Sequence, residues 1–517
     1  MNGAESLVRT LLACGVDTCF ANPGTSEMHF VAALDRVPGM RCVLGLFEGV
    51  VTGAADGYAR MQDRPAATLL HCGPGLANGL ANLHNARRAR TPIVNLVGDQ
   101  ATYHQPLDPP LTSDTEGFAR PVSAWVRTAR QAALVGADAA AAVQAAQTAP
   151  GGSATLILPS DTCWDEGGIV AEPLPVPARA QAAPSQVEEA ARALRDGGGG
   201  AALLMTGRAL RAEPLRIAHR IAAATGARVM AQQSNARIER GRGIPPVERV
   251  PYPVDHALAM LAGVKHLILV GARLPVGFFA YPGKPGRMWP EDCQIHVLAR
   301  PEQDGPDALA QLATALGAGE APLDSALWGQ EPPEGPVRGA VTSEAVAQTI
   351  AALLPEDAII VDESITFGRA FYPGTASAAP HTWLQLTGGA IGSGLPLATG
   401  AAVGAPGRRV VTLEADGSAM YTVQALWTQA RERLDVTTIV LANRKYAILL
   451  GEYRGVGANP GRTAMDMLDL GNPDLDWIAL AAGMGVEAAR AETMETFADL
   501  FEQANSRPGP FLIELVV

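Results

Sequence analysis

One unit recurs along the chain: a short, continuously apolar run, then a glycine or polar turn, then a helical pattern. Examples are ATLLHCGPG at 67–75, ATLILPSD at 154–161, HLILVGAR at 266–273 and TTIVLANRK at 437–445. Apolar runs that do not alternate with polar residues, and that are followed by helices, are typical of parallel strands covered on both faces. We therefore predict an α/β chain of doubly wound parallel sheets, with ligands bound at the carboxyl ends of the strands.

Two segments rich in proline interrupt this pattern, at 172–185 and at 320–339. The first is also rich in alanine and the second in glycine, and both separate helical stretches. They divide the 517 residues into three blocks of ordinary domain size. The predicted domains are 1–171, 186–319 and 340–517.

The composition restricts the kinds of partner. The chain has 40 basic and 52 acidic residues, a net charge of −12, which argues against nucleic acid or an anionic membrane surface as a partner. No apolar run reaches the roughly 18–20 residues that span a bilayer. The N-terminal segment lacks a basic stretch before an apolar core, and the six cysteines are scattered without a CxxC pair. These features predict a cytoplasmic protein without a secretory leader, disulfides or a cysteine zinc site.

The segment 408–443 carries the strongest functional pattern. A strand predicted at 408–413 leads to Asp416, and a strand predicted at 437–442 leads to Asn443. A helical pattern lies between them, so the two strands are expected to be parallel neighbours in a βαβ unit. A carboxylate and an amide oxygen at one sheet edge suit a hard cation such as Mg²⁺.

Gly417 and Ser418 open the helix predicted after Asp416. The free N–H groups and the dipole at a helix start attract phosphate. In isolation, the simpler interpretation is that Asp416 caps the helix and Gly417 forms a turn. Asn443, 27 residues after Asp416 and at the end of the next strand, instead favours a metal ion beside a diphosphate.

Further motifs resemble one known family. The chain resembles the thiamine-diphosphate-dependent decarboxylase and acetohydroxyacid synthase superfamily over its whole length, and its Asp416-Gly417 and Asn443 match that family's Gly-Asp-Gly and Asn signature. Ala415 replaces the first glycine, a small change that leaves the turn intact. NPGTSE at 22–27, ADGSAMYTVQALWTQA at 415–430 and GPFLIE at 509–514 resemble benzoylformate decarboxylases, and GPGLANGLANLHNA at 73–86 resembles acetolactate synthase large subunits.

The resemblance implies thiamine diphosphate and Mg²⁺ as cofactors, and a pyrimidine-binding, a middle Rossmann-like and a diphosphate-binding domain in that order. It implies three metal ligands, Asp416, Asn443 and the main-chain carbonyl of Lys445. It implies further cofactor contacts at Glu48, Ser364, Gly389, Ile391, Gly417, Ser418, Tyr421 and Tyr446. The middle block lacks a glycine fingerprint for phosphate, so no second cofactor is expected there.

A strand predicted to end at Glu48 precedes the helical pattern at 49–60. In the family, a glutamate at this position hydrogen-bonds N1′ of the aminopyrimidine of the cofactor and starts its activation. The structural alternative is that Glu48 only complements a helix N-terminus; the accompanying thiamine motif favours the catalytic role. Gly389 and Ile391 would support the bent conformation of the cofactor, although glycine-rich turns are common for structural reasons alone.

Three residues are predicted to act on the substrate: His71, Thr25 and His104. His71 follows a strand and precedes a glycine-rich turn, where an imidazole could shuttle protons near neutrality or merely bond to the backbone. Thr25 matches a substrate-contacting serine of benzoylformate decarboxylases. His104 lies in a proline-rich loop at 101–114, for which a rigid surface loop is the main alternative.

One difference from benzoylformate decarboxylases concerns the fate of the substrate. Those enzymes take a second catalytic histidine from the middle domain, whereas the comparable segment here, PVGFFAYPGKPG at 275–286, has Phe278 and Phe279 and no histidine. A site lined by phenylalanine would protect a carbanion and favour C–C bond formation over release of an aldehyde.

The sequence therefore predicts an enzyme that decarboxylates a 2-oxo acid, with aldehyde release or carboligation to an aldehyde or keto-acid acceptor. A catalytically silent or regulatory cofactor-binding subunit is the alternative, and the joint presence of Glu48, Asp416 and Asn443 argues against it. Because the family places each cofactor between two subunits, a homodimer or homotetramer is expected. The GxSxG motif of serine hydrolases and the HExxH motif of zinc hydrolases are absent.

Overall fold

Three mainly parallel sheets form the framework of the chain. The computed structural model describes residues 1–319, 323, 331 and 333–517. The sheets contain six, five and seven strands in chain order, and helices cover their faces. The predicted α/β class is therefore confirmed. The second predicted linker, 320–339, lies outside the described residues at 320–322, 324–330 and 332.

The N-terminal domain holds the six-stranded sheet, with strand order β2-β1-β3-β4-β6-β5 and parallel pairing throughout. Its central strands β3, β4 and β6 are buried along their whole length, as their unbroken apolar runs require. The strands are β1 Thr18–Ala21, β2 Arg41–Leu44, β3 Ala66–Leu70, β4 Ile93–Asp99, β5 Trp125–Thr128 and β6 Ser153–Pro159. The helices are α1 Gly3–Ala13, α2 Met28–Arg36, α3 Glu48–Gln62, α4 Cys72–Ala89, α5 Thr115–Ala119, α6 Ala132–Gln147 and α7 Ser160–Trp164.

The middle segment holds the five-stranded sheet, with strand order β10-β8-β7-β11-β12. Its strands are β7 Ala201–Met205, β8 Arg228–Ala231, β9 Ile238–Arg240, β10 Glu248–Arg249, β11 His266–Val270 and β12 Gln294–Ala299. Its helices are α8 Pro184–Gly197, α9 Ala212–Thr225, α10 Val254–Leu261 and α11 Gly305–Leu316. Strand β9 does not join this sheet, because it pairs antiparallel with a strand of the C-terminal domain, β14 (His381–Gln385). A segment of the second predicted domain therefore adds a strand to the sheet of the third.

The C-terminal domain holds the seven-stranded sheet, with strand order β17-β18-β16-β15-β13-β14-β9. Its own strands are β13 Ile359–Glu363, β14 His381–Gln385, β15 Val410–Ala415, β16 Val436–Ala442, β17 Glu487–Ala491 and β18 Phe511–Val516. Its helices are α12 Ser343–Leu353, α13 Phe371–Gly374, α14 Gly394–Gly404, α15 Asp416–Ala419, α16 Ala425–Glu432, α17 Ala447–Gly455, α18 Arg462–Asp466, α19 Trp477–Gly483 and α20 Met494–Ser506. Within the described residues, no helix is both long and apolar enough to cross a bilayer.

Helices α3 and α14 hold the N-terminal and C-terminal domains together. A Cβ atom on Gly57 would overlap the carbonyl oxygen of Leu397, and one on Gly400 would overlap the carbonyl oxygen of Ala54. The two backbones are therefore in direct contact, and any side chain at Gly57 or Gly400 would separate them. Glycine is required at both positions for close approach of the helices.

The two helices run in parallel. Gly53 faces Pro396 near their starts, and Gly404 faces Tyr58 near their ends. Glu48, the first residue of α3, therefore lies at the same edge of the molecule as the loop that precedes α14.

Two local predictions near the site were wrong. The strand predicted to reach Glu48 ends at Leu44, because β2 is an edge strand whose partner β1 ends at Ala21 before Pro23. Glu48 is instead the first residue of α3.

The single helix predicted after Asp416 is two short helices, α15 and α16, separated by a turn at 420–424. In this turn Thr422 Oγ1 donates a hydrogen bond to the carbonyl of Gly392 at 2.9 Å, and the Cβ of Tyr421 packs against Gly392. These tertiary contacts hold the turn against the loop before α14 and override the apolar helical periodicity.

Candidate functional site

The edge formed by β15 and β16 brings Asp416 beside Asn443, as predicted from their spacing. The strands are parallel neighbours in register from Val410 to Ala415. Asp416 is buried; its Oδ1 accepts the N–H of Gly417 at 2.8 Å, and its Oδ2 accepts the N–H of Arg444 at 2.6 Å. Asp416 therefore reaches across to the residue that follows Asn443. Burial raises the pKa of Asp416 above its ordinary value.

The loop after β16 adds further oxygen atoms. Asn443 Oδ1 accepts the N–H of Lys445 at 3.0 Å, and the carbonyl of Lys445 accepts the N–H of Ala447 at 2.9 Å. A carbonyl and an amide oxygen each have a second lone pair, so both can accept a further partner. A carboxylate, an amide oxygen and a main-chain carbonyl on adjoining strand ends match the ligands that hard divalent cations prefer.

Gly417 forms a cradle beneath an aromatic ring. A Cβ atom at Gly417 would lie 2.5 Å from Cε1 of Tyr446 and 3.2 Å from a methyl of Leu470. Ser418 is buried beside it, whereas Tyr421 is 54% exposed. The predicted helix start is only the four-residue α15, so the donors here are the N–H groups of one short turn rather than the end of a long helix.

The loop before α14 is held by a carboxylate that the sequence analysis did not select. Fully buried Glu363, the last residue of β13, accepts the N–H groups of Gly392 and Ser393 at 2.8 Å each, and that of Gly394. Burial outweighs these bonds and raises the pKa of Glu363 to about 7. Ile391 directly precedes the three donors, so Glu363 fixes the backbone from which Ile391 projects. The only sequence signal was its place at the end of an apolar strand.

Two neighbours of Glu363 differ from it. The hydroxyl of Ser364, a predicted cofactor contact, donates to Asp362 Oδ1 at 2.6 Å and lies against Gly368. Glu414 is fully buried in β15, and neither of its carboxyl oxygens has a hydrogen-bond partner among the described residues. Burial and the nearby Glu363 raise the pKa of Glu414 well above its ordinary value.

Helix α4 connects Glu48 to the same loop through a row of asparagines. Asn78 Nδ2 donates to Glu48 Oε2 at 3.0 Å. Asn82 Nδ2 donates to the carbonyl of Gly49 at 2.8 Å and to that of Gly392 at 3.3 Å. Asn85 Nδ2 donates to the carbonyl of Ala390 at 2.8 Å. Asparagines at i, i+4 and i+7 lie on one helix face, and this spacing in 78–85 was the signal that the sequence analysis missed.

His71 lies beside Glu48. It ends the connection from β3 to α4, and its Nδ1 is 2.9 Å from an oxygen of Glu27. A Cβ atom on Gly75 would lie 2.9 Å from Glu48 Oε1 and 3.3 Å from the Cβ of His71, so both side chains border one small space. The structure therefore brings together the predicted Glu48 and His71.

Thr25 and His104 are not joined to this group by hydrogen bonds. Thr25 is exposed at the start of a short turn, and His104 is exposed in the loop at 101–114. Neither side chain makes a hydrogen bond to another residue that the structure describes. Their predicted roles remain predictions.

Aromatic residues of the middle domain cover the loop before α14. The ring of Phe278 packs against Gly389, which has φ of +84° and no room for a side chain. Phe278 contacts Phe279 and Tyr252, with ring centroids 5.0 and 5.3 Å apart. The segment in which a second histidine is missing therefore lies at Gly389, a predicted cofactor contact.

Comparisons with known proteins agree with this geometry. Residues 1–120 match the N-terminal thiamine pyrophosphate-binding domain of thiamine pyrophosphate enzymes, and residues 370–515 match their C-terminal thiamine pyrophosphate-binding domain. A Mycobacterium tuberculosis protein provisionally named acetolactate synthase large subunit IlvX is 55% identical, over 100% of this chain and 99% of the relative. The chain belongs to the thiamine pyrophosphate enzyme family.

Other members of this family are more distant. Benzoylformate decarboxylase from Pseudomonas aeruginosa is 31% identical, over 97% of this chain and 96% of the relative. The solved structure of a thiamine diphosphate-dependent 4-hydroxybenzoylformate decarboxylase from Rhodococcus jostii RHA1 is 26% identical, with a TM-score of 0.82 over 99% of this chain and 98% of that chain. The predicted family is thus confirmed, and this thiamine pyrophosphate enzyme is similar to both decarboxylases and acetolactate synthases.

Proposed function

We propose that this thiamine pyrophosphate enzyme decarboxylates a 2-oxo acid with thiamine diphosphate and Mg²⁺, and that it then releases an aldehyde. One observation carries the proposal: the described chain holds both halves of such a site, a cation-type oxygen set at the β15–β16 edge and a buried Glu48 beside His71. When bound, thiamine diphosphate supplies a nucleophilic carbon for the keto group and an electron sink for the loss of CO₂.

The residues present fit this cofactor. Asp416, Asn443 and the carbonyl of Lys445 would hold Mg²⁺, because their oxygens lie on adjoining strand ends. The space at Gly417, which any side chain would fill, admits a close approach to its backbone beside buried Ser418. Ile391, held by the Glu363 bonds, would support the centre of the cofactor.

Glu48 would exchange a proton with N1′ of the aminopyrimidine. Its carboxylate is buried and has Asn78 as its side-chain partner, which leaves Oε1 able to accept or hold a proton. His71 borders the same space and would transfer a proton to the substrate carbon after CO₂ has left.

Carboligation to a second carbonyl is the second candidate. Phe278 covers Gly389, Phe279 packs against Phe278, and neither ring brings a proton donor to that side of the site. An aromatic cover without a proton donor slows protonation of a carbanion and favours its attack on an aldehyde or keto acid.

Product analysis separates these candidates. The purified enzyme would be incubated with thiamine diphosphate, Mg²⁺ and a panel of 2-oxo acids, with and without an aldehyde acceptor. CO₂ with free aldehyde supports the proposal, and CO₂ with a hydroxyketone or acetohydroxy acid supports the second candidate. Cofactor binding without CO₂ release from any member of the panel would contradict both and favour a silent or regulatory subunit.

We further propose a homodimer or homotetramer in which Glu48 of one subunit acts with Asp416 of another. Mixing Glu48→Gln and Asp416→Asn subunits tests this, because only shared sites can combine one intact Glu48 with one intact Asp416. When the two variants are refolded together, at a cofactor concentration too low to saturate Asp416→Asn alone, recovery of activity is expected. No recovery, with mixed oligomers verified by mass spectrometry, would place both residues in a site formed by one chain.

A further inference from the structure

Glu27 is a buried carboxylate with an unusual set of partners. It ends the short turn Thr25–Glu27 after β1 and is 4% exposed. Its Oε2 accepts the N–H of Gly24 at 2.8 Å, its Oε1 accepts the hydroxyl of Ser26, and Oε2 lies 2.9 Å from His71 Nδ1. Because the carboxylate is held from three sides, it has one fixed orientation toward the imidazole.

Two glycines make room for this pair. A Cβ atom on Gly98, in β4, would overlap Glu27 Oε1, and one on Gly24 would overlap the ring of His71. Gly24 has φ of −125°, and the φ of Gly98 is not positive either. Neither position therefore needs glycine for its backbone conformation. Both positions lack a side chain because the carboxylate and the imidazole occupy that space.

We propose that Glu27 is a positioning residue that keeps the proton of His71 on Nδ1 and presents Nε2 to the substrate. This inference rests on the proposed function of the same site. An ionised carboxylate can only accept, so the Nδ1 facing it must be the donor. Neutral His71 then accepts a proton at Nε2, and the imidazolium that results is stabilised by the negative charge of Glu27.

The position of His71 agrees with this role. Its side chain is 22% exposed while that of Glu27 is 2% exposed, and Nε2 has no hydrogen-bond partner among the described residues. The space at Gly75 places His71 beside Glu48, the carboxylate proposed to activate the cofactor. Glu27 lies on the Nδ1 side of the ring, and its hydrogen bonds go to Gly24, Ser26 and His71 rather than to a group in that space.

The first test reads the tautomer directly and needs no turnover. Full-length enzyme labelled with ¹⁵N-histidine would be studied by long-range ¹H–¹⁵N NMR at pH 8.5, with His71→Asn used to assign the signal. The wild type is expected to show the Nδ1–H tautomer, and Glu27→Gln is expected to shift His71 toward Nε2–H. A wild-type Nε2–H tautomer, or no change in Glu27→Gln, would overturn the proposal even if decarboxylation were established.

The second test is kinetic. Glu27→Gln is expected to lower kcat about 100-fold, with KM and thiamine diphosphate affinity changed less than about threefold, because proton transfer and not binding is impaired. Glu27→Asp should recover part of the loss. Asp138→Asn is the matched control: Asp138 is a buried carboxylate of the same domain paired with Arg127 at 2.7 Å, and its loss should leave kcat unchanged.

A third measurement excludes a metal at this position. The ligand atoms of Glu27, His71 and Cys72 lie within 4.8 Å of one another, which is close enough for one transition-metal ion. Such an ion would take the Nδ1 position from the proton. Metal analysis should find no stoichiometric zinc in the purified wild-type enzyme. Stoichiometric zinc that is present in the wild type and absent from Cys72→Ser would overturn the proposal.

Discussion

The carboxyl edges of the N-terminal and C-terminal sheets both hold buried carboxylates, but the partners of these carboxylates differ. In the N-terminal domain, Glu48 accepts the side-chain amide of Asn78, and Glu27 faces the imidazole of His71. An imidazole and a carboxylate are the side chains that most often accept and donate protons in enzyme sites. This edge is therefore suited to proton transfer.

In the C-terminal domain the partners are backbone N–H groups. Glu363 accepts three of them and Asp416 accepts two, including that of Arg444 on the neighbouring strand end. Backbone amides do not titrate, so these bonds fix loops and strand ends instead of moving protons. The comparison suggests that one domain supplies the chemistry of the site and the other supplies its geometry.

The strongest challenge to this comparison is a split between binding and turnover. Glu48→Gln is expected to lower decarboxylation by about 10²–10⁴-fold while thiamine diphosphate still binds. Asp416→Asn is expected to weaken binding of thiamine diphosphate with Mg²⁺ by roughly 10–100-fold, because it removes a metal-ligand charge. Isothermal titration calorimetry and a CO₂-release assay measure the two effects. Equal effects of both substitutions on binding would contradict the division of roles.

A smaller effect is expected at Glu363. In Glu363→Gln the side-chain NH₂ faces buried N–H donors, which costs about 1–3 kcal/mol of unfolding free energy. The loop before α14 should loosen, so thiamine diphosphate affinity should fall. Urea unfolding and calorimetry measure both quantities. Glu344→Gln, at an exposed position in α12, is the control. An equal loss of unfolding free energy and cofactor affinity in this variant would show that the effect is not specific to Glu363.

The pH dependence of stability should also report on Glu363. Its pKa of about 7 in the folded protein exceeds its ordinary value of 4.5, so between these pH values the folded state keeps a proton that the unfolded state loses. The free energy of unfolding should therefore fall as pH rises from about 5 to 7, by up to about 1.4 kcal/mol per pH unit from this group. The slope should be shallower in Glu363→Gln than in the wild type. Identical slopes would show that Glu363 does not titrate in this range.

The smallest effect is expected at Glu414, which has no hydrogen-bond partner among the described residues. Replacing an unpartnered buried carboxyl with an apolar side chain of similar length removes its desolvation cost. Glu414→Met should raise the unfolding free energy by roughly 1–2 kcal/mol, measured in urea at pH 7.5. Glu414→Gln, which retains a polar group, should gain less. A loss of stability in Glu414→Met would indicate that the carboxyl has a favourable role.

The parts of the site predicted from sequence are those encoded by strand ends. Asp416 and Asn443 follow consecutive parallel strands, and the spacing alone placed them together. Glu48 was selected through the family motif, although the strand before it ends four residues earlier, at Leu44. An edge strand is limited by the length of its partner, and the apolar pattern of β2 does not contain that information.

The parts that were missed depend on contacts between distant segments. Glu363 and the N–H groups of 392–394 are about thirty residues apart, and the β13–α14 packing alone brings them together. Glu27 can be recognised only from its contact with His71, and two strands and two helices separate these residues along the chain. The antiparallel strand β9 is only three residues long and joins another domain's sheet, so no local periodicity predicts its partner.

A structure of the enzyme with thiamine diphosphate and Mg²⁺ tests the central claim most directly. The account predicts Mg²⁺ bound by Asp416, Asn443 and the carbonyl of Lys445, Ile391 against the centre of the cofactor, and Glu48 within hydrogen-bond distance of N1′. The same structure would show whether that Glu48 belongs to the same subunit as Asp416. A cofactor bound away from Asp416, or an aminopyrimidine without Glu48 beside it, would contradict the account.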